Sequence, residues 1–175
     1  MMIEQATLRI AFVAIIGMVG VPTSAGVAQS DDEAAARAMP AMIAKWAGSY
    51  NTEGFLNEPA VRGELQKLLG AELDHLFRNL NVRGAVDLDD ETLSISGNAP
   101  HQGTEEEAIV CTTVLSIKTI VEAGIFSKGA ITVYSRKKQY ENASICIKDW
   151  ITQVNSGHKD RFVQPTNVRM TTPPP

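Results

Sequence analysis

The sequence predicts an α+β protein in which two short helices pack on an antiparallel sheet. Apolar residues recur at helical spacing before Gly84 and alternate with polar residues after it. Helices followed by strands are typical of the α+β class, and the short breaks between strands favour an antiparallel meander. We expect one domain over residues 46–155, with helices at 58–69 and 71–80 and the sheet at 83–135.

Residues 1–28 have the features of a secretory signal peptide. Arg9 precedes an apolar run at residues 10–21, and the small residues Gly26 and Ala28 follow, as a signal peptidase requires. The run holds about 12 residues, fewer than the roughly 20 that span a bilayer, so a retained anchor is the weaker interpretation. We therefore expect a periplasmic or secreted protein that is not membrane-bound once the signal is removed.

The segment between the signal and the first predicted helix carries little periodicity. Residues 29–45 are rich in alanine and interrupted by Pro40, which indicates a flexible lead-in with some helical turns. The stretch "WAGSYNTEGF" that follows contains helix-breaking residues. We interpret it as a turn or extended segment that places Trp46, Tyr50 and Phe55 for packing.

The two predicted helices each present one apolar stripe. The stripes consist of Val61, Leu65, Leu68 and Leu69 in the first helix and Leu73, Leu76, Phe77 and Leu80 in the second. Asn57 is suited to cap the first helix, ahead of a proline that its first turn tolerates. The segment from Glu141 onward fits either a last strand or a helix, and we expect residues 156–175, which end in "TTPPP", to be a disordered tail.

Composition and motifs exclude several functional classes. The chain is 44% apolar and 21% charged, which is ordinary for a globular protein, and its net charge of -4 disfavours a nucleic-acid partner and favours a basic one. The sequence contains no GxSxG, no HExxH and no glycine-rich phosphate loop. We therefore predict neither an enzyme nor a bound cofactor.

The mature chain contains two cysteines, Cys111 and Cys146. Export to an oxidising compartment favours a disulfide between them, which in the chain-entropy model stabilises the fold by roughly 3 to 4 kcal/mol. Both lie in apolar runs, so two buried thiols are the alternative. Neither is near a histidine and no CxxC spacing occurs, which argues against a metal site built on sulfur.

The stretch "SISGNAPHQGTEEEAIV" places His101 in a tight turn between two strands. One interpretation pairs this histidine with Glu105, Glu106 or Glu107 for acid-base catalysis or metal binding, although a metal site normally needs more ligands. The glutamates are otherwise a solvated charge run. His75 lies outside its helix's apolar stripe and is interpreted as a solvated residue.

The same loop has the composition of a stiff binding segment. Pro100 restricts its own backbone and that of Ala99, while Gly97 and Gly103 allow turns at either end. A stiff loop loses little entropy on docking, so it is suited to enter a partner's cleft. The candidate partner-binding residues are Asn98, Ala99, Pro100, His101, Gln102 and Gly103.

The ordered segments "GSY", "FLNEPAVRGELQKLLG", "LDHLFRNLNVRGAV", "TLSISG" and "NAPHQG" resemble the inhibitor of vertebrate lysozyme family over residues 48–135. This resemblance implies an exported bacterial protein whose protruding loop enters the lysozyme cleft. In the family, a Pro-His pair in that loop engages the two catalytic carboxylates, and Pro100 and His101 match it. The implied partner is a lysozyme or a lytic transglycosylase of similar cleft geometry, and a homodimer is left open.

The sequence departs from the family where two cysteines usually bracket the loop. The matching positions are Asn98 and Gly103, so the covalent staple is missing and the stiffness of the loop depends on Pro100 and local hydrogen bonds. The alternative function is a periplasmic enzyme or a protein that binds a small ligand or a metal through His101 and the nearby glutamates.

Overall fold

The computed structural model describes residues 41–115, 118–157 and 166–173. The helices are α1 at residues 41–46, α2 Thr52–Leu56, α3 Pro59–Leu69, α4 Leu73–Asn79 and α5 Ile145–Gly157, with 3-10 turns at Gly70–Glu72 and Tyr140–Asn142. The strands are β1 Val82–Arg83, β2 Asp87–Asp89, β3 Thr92–Asn98, β4 Glu106–Leu115, β5 Lys118–Ser127, β6 Ala130–Tyr134 and β7 Val168–Thr171. Within these ranges, no helix is long and apolar enough to cross a membrane. The expected signal and most of the lead-in lie outside the described residues.

The strands form one sheet in the order β1-β3-β4-β5-β6-β7, and β2 pairs with the same edge of β3 as β1. Every pairing from β1 to β6 is antiparallel, which confirms the predicted α+β class and meander. Helices cover both faces of the sheet. The core is therefore divided into two clusters, one on each face.

The first cluster lies between the sheet and helices α3 and α4. Both predicted stripes contribute to it, and Leu65, Leu76 and Leu80 are fully buried. The prediction that Asn57 caps α3 was wrong. Asn57 instead ends α2, and Glu58 occupies the cap position of α3 without a side-chain cap, because a proline begins the helix and needs no N–H acceptor.

The stretch after Trp46 begins with the expected turn, at residues 47–50, but its second half is helical rather than extended. Asn51 accepts a hydrogen bond from the Gly54 N–H and so begins α2, which places Phe55 edge-to-face on Trp46 at 6.0 Å between ring centroids. Both rings are buried as expected. Tyr50 is not, because its side chain is 84% exposed.

Helix α5 covers the opposite face of the sheet and settles the open choice between strand and helix. Its buried residues are Ile147, Trp150, Ile151 and Val154, which follow the helical i, i+3, i+4, i+7 spacing. The predicted disulfide joins Cys111 on β4 to Cys146 in the first turn of α5, with the two Cα atoms 6.2 Å apart. This bond ties the helix to the central strand.

The expected disordered tail contains a strand. Residues Val168–Thr171 form β7, which pairs in parallel with β6, so Val168 lies beside Ile131 and Met170 beside Val133. Val168 and Met170 pack against the α5 cluster. Their alternation with polar neighbours is the period-2 pattern of a strand with one buried face, and it outweighs the polar composition of the tail.

We predict opposite effects of the same substitution at two glycines. A Cβ on Gly124 in β5 would overlap the Trp150 ring, so Gly124→Ala should lower the free energy of unfolding by about 1–3 kcal/mol through overpacking. Gly63→Ala in α3 meets nothing within 4 Å and should raise it by about 0.5–1 kcal/mol. Urea unfolding measures both, and a Gly124→Ala protein as stable as wild type would contradict the packing described for α5.

Candidate functional site

The loop that carries His101 joins β3 to β4 and is closed by its own backbone. At its base, the Ala99 N–H donates to the Glu106 carbonyl at 3.0 Å. The Glu106 and Glu105 N–H groups both donate to the Gln102 carbonyl, each at 3.0 Å. Residues 99–105 are therefore an ordered turn system rather than a loose connection.

His101 lies at the third position of a tight turn. The Gln102 N–H donates to the Ala99 carbonyl at 3.1 Å, Pro100 occupies the second position, and His101 has a φ of 62°. Proline followed by a residue with positive φ is the signature of a type II turn, whose third position normally holds glycine or asparagine. A histidine there carries backbone strain, and such strain persists only where the surrounding structure enforces it.

The turn directs the polar end of the loop outward. Ala99 is buried, with 2% of its surface exposed, and anchors the base. Pro100, His101, Gln102 and Gly103 are all exposed. Within the described part of the chain, no side chain hydrogen-bonds to the imidazole of His101, so the ring is available to a partner.

Asn98 and Gly103, at the two ends of the loop, are neighbours in space. A Cβ built on Gly103 would lie 3.7 Å from Cγ and 3.5 Å from Nδ2 of Asn98. The Asn98 Nδ2 donates to the Ala99 carbonyl at 2.9 Å. Asn98 therefore braces the base of the loop by a hydrogen bond.

Glu106, the first residue of β4, is held by three side-chain donors. Its Oε2 accepts hydrogen bonds from His75 Nε2 and Asn79 Nδ2, both at 2.9 Å, and its Oε1 accepts from Ser127 Oγ at 2.5 Å. Partial burial alone raises the pKa of Glu106, but the bonds from these donors outweigh it and hold the pKa below its ordinary value of 4.5. The carboxylate is therefore stabilised in its charged form.

The helical side of this network is built by α4. His75 and Asn79 are four residues apart, so both side chains project from one side of the helix toward Glu106. His75 Nδ1 also lies 3.1 Å from Oε2 of Glu72, which places the imidazole between two carboxylates. Asn79 is fully buried and donates in addition to the Glu107 carbonyl at 3.4 Å, while its own Oδ1 has no partner among the described residues.

The structure thus corrects the interpretation of His75 and of the carboxylate of Glu106. His75 is not a freely solvated helix residue, because it binds Glu106 and Glu72. The sequence analysis considered Glu106 as a partner of His101 instead, and it did not identify Asn79 and Ser127 as hydrogen-bond donors to Glu106. The alternation of β4 was the available signal, because it places Glu106 on the same face as the buried Ala108 and therefore requires donors for the carboxylate.

The positions described here do not form a metal site. No group of three or more histidine, cysteine or acidic side chains is arranged to hold an ion within the described ranges. Glu105 is exposed beside the loop. The site therefore combines an exposed imidazole on a turn with a partly buried carboxylate on the residue whose backbone closes that turn.

Comparison with known proteins identifies the family of the chain. The family model described as inhibitor of vertebrate lysozyme (Ivy) matches residues 60–156, more than half of the chain. The match runs from α3 into α5 and includes the His101 loop and both cysteines. No curated protein and no solved structure matches the chain. From the family match, the chain belongs to the inhibitor of vertebrate lysozyme family.

Proposed function

We propose that this protein is exported to the periplasm or beyond and inhibits a muramidase by inserting the Asn98–Gly103 loop into its active-site cleft. The observation that carries the proposal is the turn that holds His101 exposed at the end of an ordered loop. Membership of a lysozyme-inhibitor family supports the target class, and the apolar run at residues 10–21 supports export.

The chemistry of the target explains why a histidine suits this position. Lysozyme cleaves its glycan with two carboxyl groups, one protonated and one ionised. An imidazole can donate a hydrogen bond from one ring nitrogen and accept one at the other, so it can satisfy both groups at once. His101 placed between them would also occupy the space that the scissile sugar needs. Inhibition then requires no chemistry by this protein, which acts as a binding partner rather than an enzyme.

The loop supports tight binding because it is ordered before it binds. Pro100 and the backbone bonds around Gln102 hold the turn, and Asn98 braces its base. Ordering a mobile segment on association costs about 0.5–1.5 kcal/mol for each immobilised side chain, and a preformed loop avoids much of that cost. These non-covalent restraints take the place of the disulfide that the family usually has there.

Net charge supports the same partner through association kinetics. The chain carries a formal charge of -4, which attracts a cationic lysozyme and raises the rate of encounter at low salt. Screening shortens this attraction to about 8 Å at physiological ionic strength, so inhibition should weaken with added salt mainly through the association rate. A lytic transglycosylase with a similar cleft is the second target that we propose to test.

The alternative, an enzyme or metal binder that uses His101 and the nearby glutamates, has less support. Glu106 hydrogen-bonds to His75 and so does not orient His101. Metal analysis of the purified protein separates the two proposals, because a stoichiometric transition metal would favour the alternative. Enzymatic activity that depends on His101 would favour it as well.

We predict that His101→Ala weakens inhibition without destabilising the protein. Loss of a central contact residue commonly costs about 2 kcal/mol, which is a roughly 30-fold loss of affinity, while an exposed turn side chain contributes little to the core. The melting temperature should stay near that of wild type. Gln66→Ala, which removes an exposed neutral side chain of similar size from α3, is the matched control and should inhibit like wild type. Inhibition constants against lysozyme and a lytic transglycosylase at low salt provide the measurement.

Two results would contradict the proposal. One is a His101→Ala protein that inhibits as strongly as wild type. The other is a folded wild-type protein that inhibits neither class of muramidase at high micromolar concentration, which would leave the exposed imidazole without the proposed role.

We further predict that a disulfide introduced between positions 98 and 103 strengthens inhibition. The Cβ of residue 103 would lie within 3.7 Å of the Asn98 side chain, so Asn98→Cys with Gly103→Cys brings two cysteines within bonding range. The oxidised double variant should bind up to about tenfold more tightly, because the remaining freedom of the loop is removed before association.

The control for the introduced bond is Asn98→Ser with Gly103→Ser, which makes nearly the same changes in size but cannot form a bond. It should inhibit no better than wild type. Mass spectrometry establishes whether the bond is formed, and an oxidised double variant with unchanged affinity would show that the loop was already fully ordered.

A further inference from the structure

The starting observation is that one residue closes the His101 loop with its backbone and anchors it with its side chain. The Glu106 carbonyl accepts from the Ala99 N–H, and the Glu106 N–H donates to the Gln102 carbonyl. These two bonds lie on either side of the Pro100–His101 turn. Any displacement of Glu106 therefore moves both supports of the turn.

The side chain of Glu106 connects this closure to two other elements. His75 and Asn79 bind its Oε2 from α4, and Ser127 binds its Oε1 from the end of β5. Ser127 is also the register partner of Glu106 across the sheet. The start of β4 is consequently held from the helix layer and from the neighbouring strand.

The position of Glu106 on the core-facing side of β4 indicates that its carboxylate has a role other than packing. Successive side chains of a strand alternate between faces, so Glu106 shares its face with Ala108 and Val110, which belong to the apolar core under α3 and α4. A partly buried carboxylate incurs a desolvation cost that an aliphatic side chain would avoid. Polar residues that interrupt an otherwise apolar face, and that are compensated by polar partners, occur mainly at functional sites.

We propose that Glu106 is the positioning residue of the His101 loop, and that its bonds to His75, Asn79 and Ser127 hold the strained turn in its binding conformation. The effect of Glu106 on inhibition rests on the proposed function. Its effect on the order of the loop does not, and the first test therefore needs no partner. The positive φ of His101 is unfavourable in a residue other than glycine, and the anchored Glu106 backbone opposes its relaxation.

The partner-independent test is amide hydrogen exchange of the full-length protein. The Ala99, Gln102 and Glu105 amides donate within the loop. We expect each to exchange about tenfold faster in Glu106→Leu than in wild type, since a hydrogen bond to a charged group is lost, and to exchange faster by a smaller factor in Glu106→Gln. Core amides such as that of Val110 should keep wild-type rates after correction for global stability.

The two substitutions separate positioning from folding. Glu106→Leu continues the apolar face of β4 but leaves the buried Asn79 Nδ2 without its carboxylate acceptor. Some loss of global stability is therefore expected, and urea unfolding measures it so that the exchange rates can be corrected. Glu106→Gln keeps the shape and part of the hydrogen bonding, so its loop amides should change less than those of Glu106→Leu. Glu105→Gln removes an exposed carboxylate from the same segment and is the control for charge.

The functional test uses rescue by the introduced disulfide. Glu106→Leu should weaken muramidase inhibition about tenfold, and adding Asn98→Cys with Gly103→Cys should recover most of that loss, because the bond restores the loop without restoring the network. A purely structural role for Glu106 predicts no recovery.

The outcomes distinguish the two proposals. Loop amides that respond to the Glu106 substitutions, in a protein that inhibits no muramidase, would support the positioning role and overturn the proposed function. Wild-type exchange rates in both Glu106 variants would overturn the positioning role. So would a Glu106→Leu protein that inhibits as well as wild type, or one whose loss of inhibition the disulfide fails to recover.

Discussion

The pairing of β4 with β5 is the constraint on which the rest of the structure depends. The two strands are each ten residues long and pair over their whole length. Helices cover both faces, so both strands are buried in continuous runs, 108–112 in one and 121–126 in the other, rather than at alternate residues. This pairing places Glu106 opposite Ser127 at one end of the sheet, and the base of the His101 loop is therefore determined by the longest strands of the sheet.

The disulfide and the glycine at position 124 reinforce the same pair of strands from the second face. Cys111 connects β4 to α5, and Gly124 lets the Trp150 ring approach the backbone of β5. That disulfide does not reach the loop, whose two ends carry Asn98 and Gly103 side by side. Covalent restraint in the described residues is therefore found under the sheet, while the loop depends on hydrogen bonds.

The two described histidines have complementary surroundings. His75 lies between the carboxylates of Glu72 and Glu106, whereas His101 is exposed at the end of the loop. A histidine that binds a partner's carboxylates must not be occupied by carboxylates of its own chain. Because α4 supplies the donors for Glu106, that carboxylate is satisfied internally and leaves the imidazole of His101 to solvent or to a partner.

Local pattern by itself determined the α+β class, the helices α3 and α4, the antiparallel strands and the Pro100–His101 turn, because periodicity and turn chemistry depend on residues a few positions apart. Only the tertiary structure decided that Glu106 binds His75, which is 31 residues away, and that β7 pairs with β6. Neither contact follows from spacing along the chain, since it forms only after the sheet has brought the segments together. Tyr50 is exposed although the nearby aromatic residues Trp46 and Phe55 are buried. Composition does not distinguish the three residues, because only the packing of the whole fold decides which of these side chains faces the core.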